Sequence, residues 1–263
     1  MFDYHIHTDF SDDCFTPMEE MVEAAAQKGL KEIAVTDHYD PDYPDKDFPF
    51  EIDFPKYHKH LLECSEANKS RIRILKGIEI GIQHGDTLKK CEKAAGGFPY
   101  DIVIGAFHSV YGKALYLNYF DDVTIEQGVM DYYVYMRDCL RQFKNFDILG
   151  HINVIDRYAD RLPCYSPYME IIESILKALI DDGKGLESNA SSYRYNMGER
   201  TIPALEILKM YKELGGEIIT IGSDAHKGPQ VGYGYEKAVD TLAACGFKYI
   251  STFEGRKVGF VKI

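Results

Sequence analysis

The segment FDYHIHTDFSDDCFTPMEEMVEAAAQKGLKEIAVT, residues 2–36, contains two short apolar runs separated by a longer amphipathic stretch. The runs Phe2–Ile6 and Glu32–Thr36 predict buried β-strands. Between them, Thr16-Pro17-Met18-Glu19 predicts the first turn of a helix capped by the Thr16 hydroxyl, and Gly29 predicts its end. Two strands joined by a helix in this way run parallel, with a right-handed crossover.

The same alternation of strand and helix continues along almost the whole chain. Five further apolar runs predict buried strands: Arg73–Ile80, Asp101–Phe107, Phe146–His151, Gly185–Ser188 and Glu217–Ile221. Helices are predicted between them, among others at Phe54–Asn68, Tyr168–Asp182 and Ile202–Leu214. Seven such units exceed what most open doubly wound sheets contain, and no Gly-x-Gly-x-x-Gly motif follows the first strand. We therefore predict one domain over residues 1–263, built as a closed or nearly closed parallel barrel.

The charge and composition of the chain exclude several classes of protein. Its 263 residues carry 30 Lys and Arg against 42 Asp and Glu, a net charge of −12. This charge argues against binding to nucleic acid or to an anionic membrane, because both need a cationic surface. We see no signal peptide and no run of about 18 apolar residues. The six cysteines form no Cys-x-x-Cys pair, so we expect reduced thiols and a cytoplasmic protein. Its oligomeric state is left open.

One segment, Tyr39–Pro55, breaks the alternation of strands and helices. Four prolines exclude a helix or a central strand there: Pro41, Pro44, Pro49 and Pro55. Long irregular connections inside a domain are often functional, although a solvated surface loop is the simpler alternative.

Histidines and carboxylates collect at the ends of the predicted strands. Two histidines, His5 and His7, end the first strand, and their alternate spacing places them on the same face. Six further candidates follow or end later strands: His38, Glu79, His108, His151, Asp224 and His226. In a parallel barrel these carboxyl ends form the catalytic face. The other three histidines, His58, His60 and His84, are interpreted as ordinary helix or surface residues.

These donors are too many for one tetrahedral ion. Imidazole and carboxylate together suit zinc, iron or manganese, and we predict two or three divalent ions that share bridging carboxylates. Cysteine is absent from the set, which argues against a structural zinc–thiolate site.

The ordered set of motifs resembles the PHP (polymerase and histidinol phosphatase) superfamily. The motifs are His5-Ile6-His7-Thr8 with Ser11-Asp12-Asp13, Thr36-Asp37-His38, Glu79, His108, His151 and Ser223-Asp224-Ala225-His226. The resemblance spans residues 5–226 and implies a distorted (β/α)7 barrel with a metal site at the carboxyl ends of the strands. The acidic insert after His38 and the stretch Asn196–Arg200 look most like the monofunctional histidinol-phosphate phosphatases.

The resemblance also implies a site for three metal ions. The first ion takes His5, His7, Glu79 and Asp224. Glu79 bridges to the second ion, which His108 and His151 complete. The third takes His38, His226 and a residue of the loop after the first strand. Many relatives have histidine at that place, whereas this chain has Asp13. An oxygen donor there favours iron or manganese more than an all-nitrogen site would.

The activity implied is hydrolysis of L-histidinol phosphate, a step of histidine biosynthesis. The expected nucleophile is a metal-bridging hydroxide that attacks phosphorus in line, because metal-bound water titrates near pH 7. We expect Asp224 to accept a proton and His226 to serve as ligand or as donor to the leaving oxygen.

Two arginines follow predicted strands and are candidates for binding the phosphate. The guanidinium forks of Arg157 and Arg194 match phosphate oxygens, and a surface salt bridge is the simpler role for either. Lys227 and Arg200 are the second choices.

The irregular loop is the candidate for binding the amine and imidazole of the substrate. It contains acids that can accept hydrogen bonds and aromatic rings: Asp42, Asp45, Asp47, Glu51, Asp53, Tyr43, Phe48 and Phe50.

Two other functions share parts of this pattern. A PHP phosphoesterase acting on nucleotides or oligonucleotide ends needs the same metal ligands and differs in its pocket. A non-catalytic, metal-stabilised interaction module has no need for so complete a set of ligands.

Overall fold

The computed structural model describes residues 1–195 and 197–263, so that Asn196 of the Asn196–Arg200 stretch lies outside the described residues. The strands are β1 (Phe2–Ile6), β2 (Glu32–Val35), β3 (His38–Tyr39), β4 (Arg73–Gly81), β5 (Ile102–Ala106), β6 (Ser109–Val110), β7 (Lys113–Ala114), β8 (Ile148–Leu149), β9 (Gly185–Asn189), β10 (Ile219–Gly222), β11 (Tyr249–Glu254) and β12 (Lys257–Lys262). The helices are α1 (Met18–Gln27), α2 (Phe54–Asn68), α3 (Thr87–Gly96), α4 (Ile125–Leu140), α5 (Met169–Asp181), α6 (Leu205–Glu213) and α7 (Tyr235–Ala244).

Seven parallel strands form the barrel, in the chain order β1, β2, β4, β5, β8, β9 and β10. Each is followed by one of the seven helices. Backbone hydrogen bonds close the ring between the end of β1 and the residues after β10: His7 donates to Ala225, and Asp224 donates to His5, each at 2.9 Å. The predicted distorted (β/α)7 barrel is confirmed, with β3 added as a short strand beside β4.

Apolar residues between the strands and the surrounding helices form the main core. Helix α1 shows why: Met18, Met21, Val22 and Ala25 recur at helical spacing and are buried on one face. The strands contribute continuous buried runs, as expected where both faces of a parallel sheet are covered. Within the described part of the chain, no helix is long and apolar enough to cross a membrane.

Two helix starts differ from the sequence prediction. The hydroxyl of Thr16 does not cap α1 but donates to the carbonyl of His226 at 3.2 Å, so that it ties two loops of the barrel face together. Helix α6 begins at Leu205 rather than Ile202, because Ile202 pairs with Asn189 in an isolated bridge.

A hairpin that the sequence analysis did not predict, β11–β12, covers the amino-terminal end of the barrel. Its Phe253 is buried in one apolar cluster with side chains from five barrel strands: Tyr4, Ala34, Leu75, Ile102 and Ile148. Arg256 in its turn donates from Nε to Asp147 at 2.8 Å. The opposite, carboxyl end is therefore the open one.

Candidate metal centre

The structure brings all the strand-end candidates together at the open end of the barrel. His5 is the penultimate residue of β1 and His7 follows the strand, His38 begins β3, and Glu79 lies within β4. The others lie in loops directly after β5, β8 and β10: His108, His151, Asp224 and His226. Most of these side chains are buried, and His108 and His226 are partly exposed. The barrel thus brings donors from six different strands to one place.

Glu79 lies at the centre of this cluster, with both carboxylate oxygens facing imidazoles. The nitrogens of three histidines surround Oε2, those of His5, His7 and His38 at 3.2, 3.5 and 3.0 Å. Two others face Oε1, those of His151 and His108 at 2.9 and 3.5 Å. A carboxylate used from both oxygens is the arrangement expected of a residue that bridges two ions.

Among the described residues, the donor atoms form four overlapping trios, each within 4.8 Å. The trios are His5, His7 and Asp224; His5, Glu79 and His151; His7, His38 and His226; and His38, Asp40 and His108. The trios are linked to one another through His5, His7 and His38, which indicates a multinuclear arrangement rather than one isolated site.

Unpaired buried atoms show that the donor set fits divalent transition metals. Among the described residues, His5 Nε2, His7 Nε2 and Glu79 Oε2 are buried without a hydrogen-bond partner. Burial, helped by the neighbouring His226 and His38, lowers the pKa of His7 to about 3. The neutral ring keeps a lone pair for a metal, and buried polar atoms without any partner are otherwise costly.

Asp13 reaches the same cluster from the loop after β1. Its Oδ2 lies 3.2 Å from His226 Nε2 and 3.9 Å from His38 Nε2. Burial alone would raise the pKa of Asp13, but these two histidines outweigh burial and lower it. The carboxylate is therefore ionised. It lies beside His38 and His226, where the resemblance implied the loop ligand of the third ion.

Two buried carboxylates that the sequence analysis missed contact the cluster from behind. Asp40 accepts from His108 Nδ1 at 2.6 Å, and Glu187 of β9 accepts from His5 Nδ1 at 2.6 Å. Burial alone would lower the pKa of His108, yet Asp40 and Glu79 raise it to about 9. The sequence held one signal for Glu187, an acid inside a run predicted to be a buried strand.

A cavity of about 380 Å³ opens over the cluster. Its wall includes six aromatic rings, those of Tyr43, Phe48, Phe50, Tyr116, Tyr158 and Tyr195. The Tyr39–Pro55 loop thus supplies aromatic surface, but the five acids proposed as acceptors for the substrate do not line the cavity. Asp42, for example, pairs with Lys90 at 2.6 Å on the surface. The carboxylates that line the cavity are Asp13 and Asp224.

Arg157 lies in the cavity wall beside the cluster. Its Nη2 donates to Ser191 Oγ at 2.7 Å and lies 3.5 Å from Asp224 Oδ2. The guanidinium stacks on the Tyr195 ring at 3.7 Å, and its Nε is buried without a partner among the described residues. The guanidinium is therefore held in a fixed orientation at the cavity wall.

Arg194 also lines the cavity, but it has backbone partners. Its two terminal nitrogens donate to the carbonyls of Ser223 and Asp224 at 2.6 and 2.8 Å. Asp224 has φ of 55°, in the left-handed region, so Arg194 stabilises a peptide in an unusual conformation.

The second-choice cations lie elsewhere. Arg200 pairs with the buried Asp156 at 3.6 Å and stacks on Tyr165, and neither it nor Lys227 lines the cavity.

The three histidines interpreted as ordinary residues lie outside the donor trios. His58 stacks on Phe98 and contacts the Tyr100 hydroxyl, His60 pairs with Glu19, and His84 packs against Tyr135.

Comparisons with known proteins agree with this geometry. The PHP domain profile matches residues 3–191. A probable histidinol-phosphatase of Clostridium acetobutylicum is 35% identical over 255 residues, which cover 94% of this chain and 95% of the relative. The crystal structure of histidinol phosphate phosphatase from Lactococcus lactis, complexed with zinc, L-histidinol and phosphate, superimposes with a TM-score of 0.89 at 28% identity and covers 98% of both chains. The chain belongs to the PHP domain family.

Proposed function

We propose that this protein is a metal-dependent phosphomonoesterase that hydrolyses L-histidinol phosphate to L-histidinol and phosphate. The observation that carries the proposal is the histidine–carboxylate cluster beneath a cavity lined by Arg157, Arg194 and aromatic rings. The Clostridium and Lactococcus proteins, similar over almost their whole length, support the choice of substrate.

The cluster is proposed to hold two or three divalent ions of zinc, iron or manganese. The ligands are those that the resemblance implied: His5, His7, Asp13, His38, Glu79, His108, His151, Asp224 and His226. When bound, such ions act as Lewis acids, lowering the pKa of water and neutralising charge on the phosphoryl oxygens. The donor trios around Glu79 support more than one ion.

The residues around the cavity are proposed to divide the remaining work. Arg157 and Arg194 bind the non-bridging phosphate oxygens, which orients the phosphorus over the cluster. Asp224 and His226 both line the cavity, and their side chains approach within 3.7 Å. Asp224 accepts the proton of the attacking water, and His226 donates to the leaving oxygen.

Aromatic rings are proposed to bind the histidinol moiety. Tyr43 and Phe50 pack edge to face, and Tyr43 lies parallel to Tyr116 at 6.5 Å. These rings offer faces for the imidazole and for the ammonium group, which aromatic faces attract.

Turnover of a substrate panel tests the proposed function. L-Histidinol phosphate is expected to have a kcat/KM at least tenfold above that of nucleoside monophosphates, phosphodiesters and p-nitrophenyl phosphate, all measured with metal-analysed protein. A preference for nucleotides or oligonucleotide ends would replace the proposed substrate, and no turnover of any ester would indicate the non-catalytic module.

Replacement of the arginines tests phosphate binding. Arg157→Ala and Arg194→Ala are each expected to lower kcat/KM about ten- to a hundredfold, because a charge-assisted hydrogen bond contributes about 1.5–3 kcal/mol. Lysine is expected to restore only part of the loss, since a point charge cannot reproduce the fork.

The control for these variants is Arg200→Ala, which removes a partly buried cation that does not line the cavity. Metal content is measured in all three proteins. Near-normal kinetics in an Arg157 or Arg194 variant would remove that arginine from the site.

A further inference from the structure

Glu187 connects β9 to β1 and to the loop after β8, beneath the cluster. It projects from β9 and is 1% exposed. Its Oε1 lies 2.6 Å from His5 Nδ1 at the end of β1. Its Oε2 accepts from the backbone N–H of His151 and from Asn189 Nδ2, each at 2.9 Å. One carboxylate thus contacts two residues of the donor trio that includes Glu79.

The intervening strand leaves space for this contact. Between β9 and β1 lies β10, which ends in Gly222. A Cβ on Gly222 would stand 2.2 Å from Glu187 Oε1 and 2.5 Å from the Cβ of His5. Any side chain at this position would therefore block the path from Glu187 to His5, and glycine keeps it open.

The contact determines which nitrogen of His5 carries the proton. A carboxylate oxygen 2.6 Å from an imidazole nitrogen accepts the ring N–H, so Nδ1 of His5 is the donor. A neutral His5 ring then has its lone pair on Nε2, which is buried, lacks a hydrogen-bond partner among the described residues and lies 3.2 Å from Glu79 Oε2. A carboxylate behind a histidine is known in general to orient the ring toward a metal.

We propose that Glu187 is a positioning residue that holds His5 with Nε2 toward the metal cluster and anchors the His151 loop beside it. The inference rests on the metal-binding part of the proposed function and not on the identity of the ester. Glu187 does not line the cavity, so it acts through His5 and His151 rather than on substrate.

Glutamine at position 187 tests the proposal directly, because it keeps the shape of glutamate but replaces one of the two acceptor oxygens with a donor NH₂ group. Two donors face Oε2, from His151 and Asn189, so the amide oxygen is expected to take that side. The amide NH₂ then faces His5 Nδ1, which has to become an acceptor, and the ring proton moves to Nε2. Glu187→Gln is therefore expected to weaken zinc binding about ten- to a hundredfold.

The readout is zinc affinity and stoichiometry, measured by competition with a chromophoric chelator. Glu32→Gln is the matched control, because Glu32 is a buried glutamate of β2 that contacts Tyr4 and Arg73 at the other end of the barrel. It is expected to leave zinc affinity unchanged.

Thermal unfolding in excess chelator reports the metal-independent stability of both variants. If the Glu187→Gln chain does not fold there, Glu187→Asp is measured instead and is expected to show a smaller loss of zinc affinity.

Zinc affinity equal to wild type in the variant would overturn the inference, as would an equal loss in Glu32→Gln. The substrate assay is separate. A wild-type protein that binds zinc but does not hydrolyse L-histidinol phosphate would contradict the proposed ester and leave the role of Glu187 standing. A wild type that binds none of zinc, iron and manganese would overturn both.

Discussion

Glu79→Gln is expected to reduce kcat/KM by about 10²–10⁴-fold, more than any other single replacement of a proposed ligand. Both oxygens of Glu79 face imidazole nitrogens, and the side chain is fully buried. Glutamine removes the negative charge that faces imidazoles from both oxygens and places an NH₂ group against one set of them. Loss of one partner from a buried charged group costs about 3–5 kcal/mol, which corresponds to that range of rates.

The comparison variant is His38→Asn, which removes a donor from one edge of the cluster. It is expected to be clearly milder, because the donors around His5 and His151 remain. Steady-state kinetics and metal analysis on both proteins make the measurement. A loss in Glu79→Gln no larger than in His38→Asn would tell against a bridging role.

Removal of metal is expected to abolish turnover. The purified protein should contain two to three equivalents of zinc, iron or manganese, since the donor atoms form four overlapping trios. Exhaustive chelation should leave no measurable activity and lower the melting temperature, because ions that bind only the folded chain stabilise it. Elemental analysis, residual activity and thermal unfolding measure the three effects.

The control for metal removal is to add metal ions back to the chelated protein and measure the recovered activity. Re-addition of Zn²⁺, Mn²⁺ or Fe²⁺ should return activity, whereas Mg²⁺ should return much less, because a histidine-rich set disfavours it. An active protein with one equivalent or none would contradict a multinuclear centre.

The positions of the cluster residues could be predicted because they obey the simplest rule of parallel barrels. His5 and His7 follow an apolar run, and so do His108 and His151, so each falls at the carboxyl end of a strand. The family resemblance then assigned them to ions. Burial, distance and the double use of Glu79 needed the structure.

Other features left weaker traces in the sequence. Asp40 lies in the irregular loop, where acids are common, and nothing in its neighbours marks its contact with His108. Glu187 needs Gly222 on another strand to reach His5, a relation between residues 35 positions apart that no local pattern reveals. The β11–β12 hairpin follows the last strand–helix unit and pairs antiparallel, so the alternation of strands and helices did not predict it.

The β11–β12 hairpin separates the stability of the barrel from its cavity, which is useful for protein engineering. Phe253 and Arg256 secure one end of the barrel, while the aromatic wall of the cavity lies at the other. Libraries that randomise Tyr43, Phe48 and Tyr116 can therefore search for new ester substrates without changing the residues that cover the amino-terminal end of the barrel. Substitutions that improve packing under Phe253 can be selected separately for heat tolerance and combined afterwards, since distant sites contribute additively. Substrate preference and thermal stability can thus be changed independently by directed evolution, because they depend on opposite ends of the barrel.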